Sequence, residues 1–405
     1  MAQQTHPIKD KLKSCRKAIS VYGILCYALF TCSSCATGKL YLNTPEALAA
    51  ASTQEVPVYT LFALGDAGEM NAQSRAVNKN LAKLASETTH PSSIIFLGDN
   101  IYPAGMPAEW NKDANFKSRD ILMSQLLGLQ DYKGQIIFIP GNHDWNEFKP
   151  GGRESIRRQG NFLDSLEIMD VKMLPANGCG GPDVVNLTTD VVLVIIDSQW
   201  WIQDWVGEPD INQGCESSSR EEFILSLHKV IAEHADQQIL IALHHPLKSQ
   251  GPHGGHFTAR DHLFPLSKVV PWLYVPLPVI GSIYPFYRTI FGHSQDLKNP
   301  RYKSLRDAIL KDLSYPGELV FLAGHDHNLQ YLTEGKLHFI TSGAGSKQNA
   351  VANSIDLRYG HKTGGFMQID FYQNGKIRLT AVEVNPNTNL VNKVYSRFIV
   401  DPTAN

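Results

Sequence analysis

Tyr59-Thr60-Leu61-Phe62-Ala63-Leu64, followed at once by Gly65-Asp66-Ala67-Gly68, sets an apolar, β-prone run directly against a tight polar turn. A run without polar alternation suits a strand buried on both faces, as in the parallel sheets of α/β proteins. Such strands deliver binding residues to the loops at their carboxyl ends. The pattern recurs four times: residues 94–97 lead to Gly98-Asp99-Asn100-Ile101-Tyr102, and 135–139 to Gly141-Asn142-His143-Asp144. Residues 238–243 lead to His244-His245-Pro246, and 319–323 to Gly324-His325-Asp326-His327. Collected, the turns offer Asp, Asp, Tyr, Asn and His donors in a number that can hold two metal ions. One such turn alone is a weak signal; five in series are strong.

Between these strands the spacing changes to that of helices. Val77, Leu81 and Leu84 share one face of a helix expected over 71–86. Further helices are expected over 113–129 and 154–166. Ser217-Ser218-Ser219 caps another, whose expected buried side is Ile224, Leu227, Val230 and Ile231. Residues 191–196 read as a fully apolar strand. Residues 366–371, Asn374-Gly375 and 377–382 read as a β-hairpin with the strongest short turn signal. The alternation of strand and helix makes the chain an α/β protein.

Composition is that of a globular chain: 405 residues, 43% hydrophobic, 19% charged, formal net charge −2. With no basic excess, nucleic acid is not an expected partner. The N-terminus differs. Lys9, Lys11, Lys13, Arg16 and Lys17 precede an apolar stretch at 18–30, then Thr31-Cys32-Ser33-Ser34-Cys35-Ala36. That stretch is shorter than the roughly 20 residues a bilayer span requires, and its flanks match an export signal. Ser33-Ser34-Cys35 resembles the end of a bacterial lipoprotein signal, although Cys32 stands where a Leu-like residue is usual. Residues 1–35 are therefore read as a signal, 36–55 as a linker and 56–400 as one catalytic domain. The expected location is periplasmic or on the cell envelope as a lipoprotein, with secretion as the alternative. Removing the leader's five basic residues and Asp10 leaves 32 basic against 38 acidic residues, or −6. Cys179 and Cys215 remain in the body, an even pair that suits a disulfide in an exported protein, with two separate thiols as the alternative.

Residues 251–302 look unlike the rest, with Pro265, Pro271, Pro276, Pro278, Pro285 and Pro300 among Trp272, Tyr274, Tyr284, Phe286, Tyr287 and Phe291. The prolines argue against long helices or central strands. The expectation is an insertion whose aromatic residues pack inward; a lid or a membrane-resting face are the alternatives.

Two metals about 3.5–4 Å apart need a bridging carboxylate. Asp99, after Gly98, is the candidate. Asp66 and Asn142 can serve one metal each. His325 and His327, two apart on extended backbone, point the same way and can reach neighbouring ions, and His244 completes the donor set of the second ion.

These residues resemble the calcineurin-like metallophosphoesterases, and among them the purple acid phosphatases. The wider superfamily carries Asp-x-His in its first motif, whereas this chain has Asp66-Ala67-Gly68. Tyr102, three residues after Asp99, stands where purple acid phosphatases place a tyrosinate. Gly324 to Leu332 and Ser342-Gly343-Ala344-Gly345 resemble the small tartrate-resistant type most. The resemblance implies a four-layer α/β/β/α sandwich of two mixed sheets. It implies an Fe(III) site of Asp66, Asp99, Tyr102 and His327, and a divalent site (Fe, Zn or Mn) of Asp99, Asn142, His244 and His325. His245 is then a neighbour. His143 faces the phosphate, oriented by Asp144, and His253 falls where the family has a second substrate-facing histidine; a surface histidine in a glycine-rich loop is the alternative. The implied activity is hydrolysis of small phosphate monoesters by metal-activated hydroxide. A phosphodiesterase acting on nucleotides or lipids is the nearest rival, and a non-hydrolytic surface lipoprotein a more distant one.

Overall fold

The computed structural model describes residues 35–43 and 55–402, apart from 168, 269, 271, 278 and 312. Residues 1–34 of the expected signal lie outside the described residues, as do 44–54 of the expected linker. Residues 36–43 of that linker are docked, not loose. Ala36 is buried, Thr37 bridges to Val351, and strand β1 (Tyr41–Leu42) pairs with Gly360 and Tyr359.

Two mixed sheets form the body. One holds β2 (Tyr59–Leu64), β3 (Ser92–Phe96), β4 (Gln135–Phe138) and β5 (Val171–Met173) in parallel, continued on the β2 side by β13 (Gly365–Phe371), β14 (Ile377–Val384) and β15 (Val391–Val400). The other runs β1, β12 (Leu357–His361), β10 (Leu329–Glu334), β11 (Leu337–Ser342), β9 (Leu319–Ala323), β8 (Gln238–Ala242), β7 (Val191–Ile195) and β6 (Asp183–Asn186). β7, β8, β9 and β11 are parallel to their neighbours in that set.

The period of two within each strand explains the layers. Leu61, Ala63, Ile95 and Ile137 from one sheet cluster with Leu193, Leu240, Ala242 and Leu322 from the other. The alternate residues Phe62, Leu64, Ile94, Val192 and Ile241 cluster instead with helix residues Val77, Leu81, Phe223, Leu227 and Ile231. Each central strand is thus covered on both faces, which is why it reads as an unbroken apolar run. Helices Ala72–Glu87, Lys112–Gln125 and Gly152–Asp164 stand near the expected positions, and Asn71 caps the first with a reciprocal bond to Ser74. Ser219 caps Arg220–Glu233, whose buried residues are Phe223, Leu227 and Ile231; Ile224 and Val230 lie at the margin. The expected hairpin is β13–β14. Cys179 and Cys215 form a disulfide.

The excursion at 251–302 departs from expectation. It holds the short helices Ala259–Leu263 and Ile283–Ile290, and Trp272, Tyr274, Tyr284, Tyr287 and Phe291 are exposed, not packed inward. The reason for this reversal is local: the inward side of the second helix is taken by Pro285 and Arg288.

Candidate metal centre

All five turns meet at the carboxyl ends of β2, β3, β4, β8 and β9, where the two sheets adjoin. Asp66 (φ 57°), Asp99 (φ 54°) and His325 (φ 68°) each adopt the left-handed backbone region. Side chains other than Gly, Asn and Asp rarely adopt it, and such strain concentrates at functional sites. Gly98 (φ 87°) allows the second turn: a Cβ there would stand 2.5 Å from His244 Nδ1. At Gly68 a Cβ would meet the Asn100 carbonyl carbon at 2.4 Å, so the turn has no room for the histidine of an Asp-x-His motif.

Three oxygens and a histidine converge on one side. The Tyr102 hydroxyl donates to Asp99 Oδ2 at 2.9 Å and reaches Asp66 Oδ1 at 3.1 Å, with His327 Nε2 at 3.2 Å. His327 Nε2 is 3.3 Å from Asp66 Oδ1, and its Nδ1 meets Asn349 Nδ2 at 3.1 Å. Asp66 also accepts from the His325 N–H at 2.7 Å. Burial, then the charge of Asp99, pushes Asp66 up to about 7. Burial and both carboxylates push the Tyr102 phenol well up. Burial also raises Asp99, but the His244 and His143 rings and the His143 N–H outweigh it and hold Asp99 below the usual carboxylate range.

Nitrogen and oxygen lone pairs converge on the other side. His244 Nδ1 donates to the Leu97 carbonyl at 2.7 Å, which leaves Nε2 to face the site. That nitrogen faces Asn142 Oδ1 at 3.0 Å, Asp99 Oδ1 at 3.4 Å and His325 Nδ1 at 3.2 Å. His325 Nε2 is used on the Gln295 carbonyl at 2.8 Å, so its Nδ1 is an acceptor. Burial, then the neighbouring His253, His245 and His244, holds His325 well below the usual histidine range. Burial, then Lys347, lowers His327 to about 3. Neutral imidazoles and buried acceptors facing one another are what a cation resolves. The donor sets therefore fit two metal ions sharing Asp99: Asp66, Tyr102 and His327 on one side, Asn142, His244 and His325 on the other. Ligand atoms of Asp66, Asp99 and His244 all lie within 4.8 Å of one another. So do nitrogens of His244, His245 and His325, so the structure also brings in His245, whose Nδ1 is 2.8 Å from Ser198 Oγ.

His143 and His253 flank this centre. His143 Nδ1 donates to the Pro103 carbonyl at 2.5 Å, with Glu147 Oε1 at 3.3 Å and Nε2 3.9 Å from Asp99 Oδ2. Asp144 does not orient it. Instead the Asp144 carboxylate turns inward and accepts from the N–H groups of Gly141, Asn100 and Ile101, knitting the second and third turns together. Adjacent residues of a tight turn project apart, and adjacency in sequence misleads here. His253 is not a stray surface residue: its ring lies 4.0 Å from that of His325 and its Nδ1 donates to Asp296 Oδ1 at 3.0 Å. Asp296 is ion-paired with Arg288, whose Nε donates to Oδ2 at 2.8 Å. Burial raises Asp296, but Arg288 and His253 more than offset it and bring it to about 2. Asp296, Arg288, Asn349 and Lys347 (Nζ 3.2 Å above the Tyr102 ring) were not singled out from the sequence; none belongs to a motif. A small cavity of 180 Å³ between His253, Phe257, Tyr284, Arg288 and Asn349 adjoins the centre.

No curated protein matches the sequence. Among solved structures, GAP50, the anchor in the inner membrane complex of Plasmodium, aligns with 13% identity and a TM-score of 0.53, covering 84% of this chain and 88% of that one. PhoD aligns with 10% identity and a TM-score of 0.47 over 86% and 73% of the two chains. A 5'-nucleotidase precursor from Thermus thermophilus aligns with 11% identity and a TM-score of 0.31 over 84% and 53%. The model of the calcineurin-like phosphoesterase family matches residues 59–273, more than half of the chain and four of its five turns. The chain belongs to the calcineurin-like phosphoesterase family.

Proposed function

We propose that this member is a phosphomonoesterase of the purple acid phosphatase type, working with Fe(III) and a divalent ion. Family membership makes it a metal-dependent phosphoric ester hydrolase; the finer reading is carried by Tyr102. Its hydroxyl lies 2.9–3.2 Å from Asp99, Asp66 and His327, in the place where a phenolate would bind a trivalent ion.

Bound there, the two ions supply a nucleophile from water at mild pH and neutralise phosphate oxygens. The chain's own groups do the remainder. His143, with its Nδ1 proton committed to Pro103, has Nε2 to exchange a proton with the leaving oxygen. His253 is held in the same way by Asp296 through Nδ1. Lys347 adds positive charge at the rim beside Tyr102. We also read the chain as an exported lipoprotein modified at Cys35, supported by the basic leader and Ser33-Ser34-Cys35.

Turnover of p-nitrophenyl phosphate against bis-p-nitrophenyl phosphate tests the substrate class. The monoester is expected to be the better substrate at mildly acidic pH. Preference for the diester would replace this reading with a phosphodiesterase.

A further inference from the structure

The excursion at 251–302 carries an amphipathic helix with its apolar side outward. In Ile283–Ile290, residues Ile283, Tyr284, Tyr287 and Ile290 recur at helical spacing and share one face, with Phe291 following. A helix resting on a core turns such a face inward. Here Ile283 is 65% exposed, Ile290 61% and Phe291 62%, while Pro285 is buried and Arg288 binds Asp296. Trp272 (77%) and Val279 (70%) of the same excursion are exposed as well. Hydrogen bonds from Leu277 N–H to Leu263 O and from Gly281 N–H to Leu277 O tie this stretch to the first short helix and to the turn that leads into the second. Single exposed apolar residues are ordinary, but a set of this size on joined elements marks an interaction surface.

We propose that this face docks on a lipid bilayer. Its composition is that of interfacial segments: aromatic and branched aliphatic side chains, with Arg260 lying 4.7 Å over the Tyr274 ring. The course of the chain points to the same occupant. Ala36 N–H donates to the Phe257 carbonyl at 3.0 Å, and Arg288 of the outward helix lies 5.2 Å over the Phe257 ring. Cys35 therefore sits at the root of this surface, preceded by 34 residues that include five basic side chains and the apolar run at 18–30. Among the described residues no helix is long and apolar enough to cross a membrane, so the contact is with the surface layer. Cys35 anchors this surface only if the chain is a lipoprotein, as proposed above, whereas the outward face stands without it. Because Arg288 also supports Asp296 and His253, one helix would join the bilayer to the rim of the catalytic centre.

The test uses the full chain on vesicles of phosphatidylethanolamine and phosphatidylglycerol that include phospholipid brominated on its acyl chains. An interfacial helix sinks about 5–10 Å, within reach of the bromines, so tryptophan emission should be quenched and Trp272→Phe should remove about half or more of that quenching. Replacing Ile283, Ile290 and Phe291 by Ser, in a variant shown by thermal unfolding to fold, should weaken it similarly. Equal quenching in wild type and Trp272→Phe would overturn the proposal. A dimer lost in the triple variant, with no quenching of the vesicle-bound wild type, would overturn it in favour of a second copy of the chain. Intact-mass measurement at Cys35 tests lipidation separately, and Trp272 quenching without an acylated Cys35 supports the docking face on its own.

Discussion

His253 shows what single residues contribute beyond the metal donors. Its Nδ1 proton is held by Asp296, which is itself held by Arg288, so the ring can exchange a proton only through Nε2. Arg288→Gln is expected to lower kcat by about tenfold or more, part of the 10²–10⁴ that a positioned acid or base contributes, with KM changing less. Steady-state kinetics on a soluble monoester checks this; an unchanged kcat would remove His253 from the proton-transfer role. Asp197 gives a pH prediction. It caps the helix Ser198–Ile202, accepts from Trp145 Nε1 at 2.7 Å, and burial raises it to about 7. From about pH 4 to pH 7 the unfolded chain has released this proton while the folded one keeps it, so stability falls as pH rises. The slope is at most about 1.4 kcal/mol per pH unit, and it ends above the folded value. Denaturant unfolding across that range should show wild type losing stability relative to Asp197→Asn, and parallel pH curves would contradict the assignment.

The strand-to-turn junctions were the legible elements. Each is an apolar run that stops at Gly-Asp, Gly-Asn-His, His-His-Pro or Gly-His-Asp-His, and each run is a strand covered on both faces. Shorter or half-exposed strands carried no such signal: β1 has two residues, and β15 mixes exposed, partly buried and buried positions without a regular period. The outward face of Ile283–Ile290 misled for a related reason, since the same periodicity that packs a helix on a core can present it to an apolar surface outside. Arg288 and Asp296 were hidden because they reach His253 from 35 and 43 residues away, with no spacing rule to connect them. Gly98→Ala is the test at this scale. The added Cβ would stand 2.5 Å from His244 Nδ1 on left-handed backbone. Displacing that ring breaks its bond to Leu97 and removes one donor. Metal analysis should find the ion held by Asn142, His244 and His325 weakened by about 10–100-fold, with the other retained better. Two full equivalents of metal would refute the role of this turn.

The whole molecule places the centre where its two sheets adjoin. Asp66, Asp99, Tyr102 and Asn142 come from loops after β2, β3 and β4; His244, His325 and His327 come from loops after β8 and β9. Neither sheet alone holds a complete set, so the donors converge only once the sandwich has assembled across its inner core. The α/β class and the family's motifs were readable because parallel strands leave their functional residues beside themselves in sequence. The partners that steady those residues come from an excursion and from loops whose positions depend on the assembled fold. Tyr102 is the point at which the assembled fold and the proposed chemistry meet most closely, between Asp66, Asp99 and His327. Its phenolate on Fe(III) would absorb visible light through charge transfer from oxygen to iron. The decisive measurement is the visible spectrum of the iron-loaded protein beside that of Tyr102→Phe at matched iron content. A purple band in the wild type that disappears in the variant is the predicted result. An iron-loaded wild type without colour, or a band that survives Tyr102→Phe, would contradict it.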